Sequence, residues 1–257
     1  MHAYRILNID IRGSTQLGKY FATEVQRGLY VKFIQEYQER AREAILARDG
    51  VFDKTMGDGV QALFNVYQQG ILPTIVPSSS DPLNDAVDCA FKIFEAFRDL
   101  VAKHATTWQH IAPPEDLCLG AGLTMGSGFI GSFSSADLQG LEYTVLGDVA
   151  NDAGKLVNLA RAEDIQDYLR EWLAPSPDKR TFRPVRRIDQ NGRDEQVSED
   201  AISKLINVFQ TGQSVLLADL GCARISTNVD YECYKLKIDP KKQILNLVII
   251  KNDPSTP

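Results

Sequence analysis

The stretch that most constrains this chain is Phe52-Asp53-Lys54-Thr55-Met56-Gly57-Asp58-Gly59. A turn at Asp49-Gly50 precedes it and an alternating apolar run, Val60-Gln61-Ala62-Leu63-Phe64, follows it. This reads as strand, tight turn, strand: a hairpin whose turn sets Asp58 between two glycines. A hairpin needs a sheet to join, and the upstream run Ile6-Leu7-Asn8-Ile9-Asp10-Ile11 offers the partner. That run also carries an aspartate near its end, followed by Arg12-Gly13-Ser14-Thr15. Alone, an Asp-Gly is as well explained as a plain turn. Two strand-end carboxylates in this order, the first followed by a Gly-Ser-Thr loop, form a donor set able to hold two divalent cations against a triphosphate.

The other elements follow from periodicity. A first strand is expected over about 4–10, and a single long helix over about 15–48, with Leu29, Phe33, Ile34, Tyr37, Ala41, Ala44 and Ile45 at helical spacing. Residues 70–81, with Pro73, Pro77 and three serines, read as a loop. A helix begins at Asp81-Pro82 and carries Ala86, Ala90, Ile93, Phe94, Phe97 and Val101 on one face. Strands are expected over about 117–125 and 141–146, the second stopped by Gly147-Asp148. The glycines at 120–131 read as strand, turn and strand rather than as a phosphate cradle. One helix is then expected from about 149 to 173, a polar loop over 175–200, and short apolar segments near 201–209, 214–220, 231–238 and 244–251. No internal repeat is visible, and no second domain.

Composition narrows the function classes. The chain of 257 residues is 44% hydrophobic and 24% charged, ordinary globular material. A net charge of −6 argues against a protein that coats nucleic acid. It is compatible with a nucleotide, which needs only local cations and a metal. Cys89, Cys118, Cys222 and Cys233 show no Cys-x-x-Cys spacing and are expected as free thiols in a reducing cytosol. Three scattered histidines, His2, His104 and His110, disfavour a His-ligated zinc site or a Ser-His-Asp triad. No apolar run is long enough to cross a bilayer and the N-terminus enters a strand directly, so a cytoplasmic chain without membrane contact is expected.

The order of strand, Asp-loop-helix, hairpin with Gly-Asp, helix, strands, Thr-containing strand and Gly-Asp-x-x-Asn helix resembles the class III nucleotide cyclase catalytic domain. The resemblance implies an α+β, ferredoxin-like (βαββαβ) fold, a central and mostly antiparallel sheet with helices, and a homodimer. It covers residues 4–160 of a single domain spanning 1–257, the part from 161 to 257 being atypical of the family. It implies that Asp10, Asp58 and the backbone carbonyl of Ile11 ligate two Mn²⁺ or Mg²⁺ per site, and that Gly13, Ser14 and Thr15 offer N–H groups to the phosphates. Lys54 and Thr144 fall at the base-reading positions, and Asn151 at the position that orients the ribose. Lys155 stands where the family has an arginine; it keeps the charge and loses the guanidinium fork. Arg161, the next arginine downstream, would lie ~15 Å from Asn151 along a continuous helix, too far to take that role. The resemblance places the aspartates and the Lys54/Thr144/Asn151 set of one chain in different halves of composite sites shared by a head-to-tail dimer.

A lysine and a threonine serve adenine or uracil, so the pair leaves the base open. Phe52, two residues before Lys54, is expected on the same strand face, where a ring would shorten the base pocket and exclude purines. The sequence Ile-Asp-Ile-Arg-Gly-Ser-Thr with Val-Phe-Asp-Lys-x-x-Gly-Asp-Gly is similar to the stand-alone pyrimidine cyclases of bacterial Pycsar antiphage systems. This implies UTP, ahead of CTP, as substrate, a cyclic nucleotide and pyrophosphate as products, and a separate effector as indirect partner. The alternatives are an adenylate cyclase and an inactive cyclase-like domain that binds nucleotide. Met-Gly-Asp-Gly-Val lacks the signature of a diguanylate cyclase.

Overall fold

The structure, a computed structural model, describes residues 4–65, 81–108, 117–133, 142–173, 186–188, 194–208, 214–219, 231–238 and 245–252. Its axis is β1 (Tyr4–Arg12), antiparallel to β3 (Gly59–Phe64) on one side and to β4 (Cys118–Gly126) on the other. The edge strand β2 (Val51–Met56) pairs with β3 through a two-residue turn, Gly57-Asp58. Gly57 has φ 66, the left-handed region that the first turn position of this hairpin type reserves for glycine. The resulting order β2-β3-β1-β4 is the ferredoxin-like arrangement expected from the sequence.

The same sheet continues past β4. β9 (Val215–Asp219) runs parallel to it, and β11 (Leu245–Asn252), β10 (Tyr231–Ile238), β7 (Arg186–Ile188) and β8 (Asp194–Gln196) follow in that order, making nine strands. β5 (Phe129–Phe133) and β6 (Glu142–Leu146) form a separate two-stranded sheet, so the glycine-punctuated region does not fold back onto β4. The expected loop at 70–81 lies almost wholly outside the described residues, as does most of 175–200.

Two expected helices are each divided. In place of one helix over 15–48 there are α1 (Ser14–Tyr20) and α2 (Glu24–Leu46). Thr23 starts the second: its hydroxyl accepts from the Gln26 N–H, and the Gln26 side chain accepts from the Thr23 N–H, a reciprocal cap. In place of one helix over 149–173 there are α4 (Asp148–Leu159) and α5 (Ala162–Leu173), parted where Ala160 closes the last turn on Leu156 and Val157. α3 (Pro82–Trp108) and α6 (Glu199–Val208) complete the helices among the described residues.

α2 and α3 cover one face of the sheet. Phe33, Tyr37, Ala41 and Ile45 of α2 and Ala86, Ala90, Ile93, Phe97 and Trp108 of α3 join Leu7, Ile9, Ile11, Val60, Ala62 and Phe64 in the main core. α4 covers the opposite face, where Val149 and Ala153 meet Ile6 and Leu63. Gly122 of β4 makes this possible: a Cβ there would sit 2.5 Å from the Ala153 carbonyl and 2.8 Å from the Val157 nitrogen. Cys89 and Cys118 are buried and free, and burial pushes the Cys89 thiol up to about 12. Among the described residues no helix is long and apolar enough to cross a membrane.

Candidate active site

The site is built at the end of β1 because pairing brings the hairpin turn there. Ile9 lies opposite Val60, so Asp10 comes level with Gly59 and the turn residue Asp58. The fit is tight: a Cβ on Gly59 would lie 2.8 Å from the Ile9 carbonyl oxygen and 3.1 Å from Asp10 Oδ1. Burial raises the Asp10 pKa, and the Asp58 charge raises it further, against the opposing effects of Arg12, a hydrogen bond from the Ile11 backbone and Arg161. Asp58 Oδ2 is buried and has no hydrogen-bond partner. Two neighbouring carboxylates, one with a raised pKa and one with an orphaned oxygen, form a pair that a cation could complete. Among the described residues no group of three or more His, Cys, Asp and Glu side chains gathers. A cation held here would therefore need donors beyond the two carboxylates, from backbone carbonyls or from the oxygens of a ligand.

The loop after β1 turns sharply at Gly13, φ 80, and α1 begins at Ser14 without a side-chain cap. Tyr30 donates from its hydroxyl to the Ser14 carbonyl at 3.3 Å and ties this turn to α2. Beneath the carboxylates lies Tyr37, fully buried, its hydroxyl unpartnered and its pKa raised by burial, then by Asp10 and Asp58.

Asn151 and Lys155 occupy the exposed side of α4, opposite its buried Val149, Ala153, Leu156 and Val157. They point away from the sheet of their own chain. Lys155 donates to Asp152 Oδ1 at 2.7 Å, which raises its pKa. Thr144 sits on β6 opposite Gly131. β6 approaches the edge strand β2, so the Lys54 and Thr144 strands adjoin.

Phe52 does not share a face with Lys54. A bulge interrupts β2: Phe52 pairs with Ala62, but Lys54 pairs with Gln61, leaving Asp53 as the extra residue. Adjacent residues of β3 point to opposite faces, so Phe52 turns toward the α2/α3 core with Ala62, under the Arg42 guanidinium 6.0 Å from its ring centroid. Lys54 turns to the α4 face with Gln61. The i,i+2 rule that put both side chains together fails across an inserted residue.

Arg12 and Gln61 were not read from sequence, and Arg161 was set aside there as too distant from Asn151. Arg12 lies with Nη2 3.7 Å from Asp10 Oδ2 and donates to the Val157 carbonyl at the end of α4. Arg161, freed from the helix axis by the break at Ala160, acts electrostatically on Asp10 and Arg12 of its own chain. Gln61 is buried and donates its amide to Asp53 Oδ2. A lone polar residue in the apolar run of β3 was the available signal for Gln61; nothing in the sequence places Arg12 against α4.

Cyclases are among the solved structures that superpose on this chain. The guanylyl cyclase Cya2 superposes with a TM-score of 0.58 at 15% identity, over 100% of this chain and 98% of that one. The adenylyl cyclase CyaB from P. aeruginosa gives 0.56 at 14% identity, over 99% and 96%. The guanylate cyclase domain of RhGC from Catenaria anguillulae, solved with GTP, gives 0.51 at 12% identity, over 98% and 97%. The fold is that of the class III cyclases. At these identities the likeness is one of fold. No protein-family model and no curated protein sequence matches the chain. The cyclase fold accounts for the observed sheet order and for a hairpin turn set against the end of β1.

Proposed function

We propose that this chain is a nucleotide cyclase that works as a head-to-tail homodimer, converting a nucleoside triphosphate to its 3′,5′-cyclic monophosphate and pyrophosphate. The observation that carries the reading is the Asp10/Asp58 pair with its buried orphaned oxygen, at the end of β1 on a cyclase fold. Asp10, Asp58 and the Ile11 carbonyl would hold two Mn²⁺ or Mg²⁺ ions, which supply positive charge to the phosphates and acidity to the ribose 3′-hydroxyl. Gly13, Ser14 and Thr15 present backbone N–H groups to the phosphate chain. Asn151 orients the ribose for in-line attack and Lys155 neutralises charge on the reacting phosphate. Both project from the exposed side of α4, where a second chain's aspartates can meet them.

For the base, the resemblance of both motifs to stand-alone pyrimidine cyclases supports UTP ahead of CTP. A lysine donates to O4 of uracil and mismatches the amino group of cytosine. The product would serve as an antiphage signal to a separate effector. ATP is the second reading, and the bulge at Asp53 favours it: with Phe52 in the opposite core, no ring from this position shortens the base pocket.

Incubation of the purified protein with ATP, GTP, CTP and UTP together with Mn²⁺, followed by mass identification of the cyclic product, tests activity and base at once. No cyclic product from any of the four refutes the reading. Mixing inactive Asp58→Ala and Asn151→Ala chains tests the composite site, because each heterodimer regains one intact site. A mixture that stays inactive although heterodimers form refutes it.

A further inference from the structure

β3 contributes Gly59, Val60, Gln61, Ala62, Leu63 and Phe64, all buried, and Gln61 alone among them carries a polar side chain. It is 3% exposed. An amide buried in a strand is unfavourable unless it is hydrogen-bonded, and an apolar residue would fill the place. Its bond is specific: Nε2 donates to Oδ2 of Asp53, the residue inserted at the bulge. In a bulge the two residues that face a single partner both lean toward that partner's side. Asp53 and Lys54 both face Gln61, and Gln61 lies beside Asn8 of β1, which is opposite Gly122 under α4. The row Lys54–Gln61–Asn8 is polar, whereas the neighbouring row on the same face holds Leu63 and Ile6. Among the described residues β2 is hydrogen-bonded in the sheet to β3 alone, with β6 of the separate two-stranded sheet close by. β6 does not extend the ladder, so no second hydrogen-bonded strand holds the shape of the bulge.

We propose that Asp53 and Gln61 are a positioning pair that fixes the bulge in β2 and thereby sets where Lys54 meets the nucleotide base. The inference rests on the cyclase reading above and deepens it: base selectivity resides in a hydrogen bond behind the lysine as well as in the lysine itself. Neither residue has to touch the substrate. Gln61 anchors the carboxylate, the carboxylate holds the inserted residue, and the next residue along the strand is Lys54.

The test measures equilibrium binding of the four 3′-deoxynucleoside triphosphates with Mn²⁺, which lack the attacking hydroxyl and so report base preference without turnover. Gln61→Met and Asp53→Leu should each lower the preference for the best base over the next by about tenfold, the scale of one lost hydrogen bond to a charged group. Asp53→Asn keeps an acceptor for the Gln61 amide and should retain the preference within about twofold. The melting temperature of Gln61→Met should hold or rise, because methionine fills the volume without a buried amide. A merely structural pair would lower the melting temperature and leave the ratio of affinities alone. Unchanged base preference in both apolar variants overturns the proposal, as does equal loss in Asp53→Asn and Asp53→Leu. A wild-type chain that binds all four analogues equally overturns it as well. Base-selective binding without cyclic product would instead refute the cyclase reading and leave the positioning pair standing.

Discussion

Gly59→Ala is the perturbation that addresses the carboxylate pair most directly. The added methyl would sit 2.8 Å from the Ile9 carbonyl oxygen, about 0.6 Å inside the 3.4 Å at which ordinary contact begins, and 3.1 Å from Asp10 Oδ1. The Ile9 carbonyl belongs to the central strand, held by β3 and β4 on both sides, so relief comes mainly from moving the turn away from Asp10. Overpacking of this kind costs about 1–3 kcal/mol. For a chain of this length, at ~2–4 °C per kcal/mol, the melting temperature should fall by roughly 2–12 °C. If the two carboxylates share cations as proposed, a shift of order 0.5 Å between them should weaken Mn²⁺ binding by about tenfold and turnover by at least that, given ~10²-fold per 1 Å of misplacement. Isothermal titration with Mn²⁺ and thermal unfolding, run on the same samples, separate the two effects. Gly122→Ala is the matched control. Its methyl meets the Ala153 carbonyl at 2.5 Å and should destabilise at least as much while leaving Mn²⁺ affinity near wild type. Wild-type Mn²⁺ affinity in Gly59→Ala, or an equal loss in Gly122→Ala, would refute the reasoning.

Asp10 supplies a prediction with a sign. Burial first and Asp58 second raise its pKa above the unfolded value of 3.8, so the folded state binds the proton more tightly. The stability this gives is complete below pH 3.8 and is lost as pH rises through the folded pKa. Metal-free Asp10→Asn should therefore melt above metal-free wild type at pH 7, the gap closing near and below pH 3.8, and Mn²⁺ should raise the melting temperature of the wild type alone; the reverse order at pH 7 contradicts the assignment. Lys155→Arg restores a guanidinium fork at the exposed position now paired with Asp152, and should raise kcat by about tenfold at unchanged KM in the cyclisation assay. No gain would remove Lys155 from the reacting phosphate. Thr23→Ala breaks the reciprocal cap of α2 and should cost about 1 kcal/mol, read as ~2–4 °C in melting temperature, with turnover intact.

Much of the backbone frame of the candidate site was legible because it depends on patterns with short range. The hairpin, its Gly-Asp turn and the strand ending in Asp10 are local alternation and turn chemistry, and pairing of β1 with β3 then brings the two aspartates together. Errors arose where a single residue breaks a period. Thr23 and Gln26 carry a capping-box spacing that divides the first helix, yet the apolar spacing on α2 alone reads straight through it. The second helix ends at Leu159 without a proline or glycine to mark it. The bulge at Asp53 is the costliest case, since one inserted residue reverses the facing of everything before it and carries Phe52 from the α4 face to the opposite core. Arg12 was illegible for another reason. Its contact with Val157 spans 145 positions, and no local signal records a contact of that range.

Gly122 has a consequence for how such a protein can change over generations. Because the backbone of α4 rests on Gly122 with no β4 side chain between them, the sheet offers the helix no shim: nothing on the β4 side of that contact can be made smaller, and anything larger collides. The half of the proposed site that α4 would carry, Asn151 and Lys155, can be altered in chemistry but is harder to re-aim. β2, by contrast, is hydrogen-bonded to β3 alone among the described strands, and its bulge already departs from regular pairing. Drift in which nucleotide is accepted should accumulate in β2 and its contacts, while the placement of α4 stays as it is.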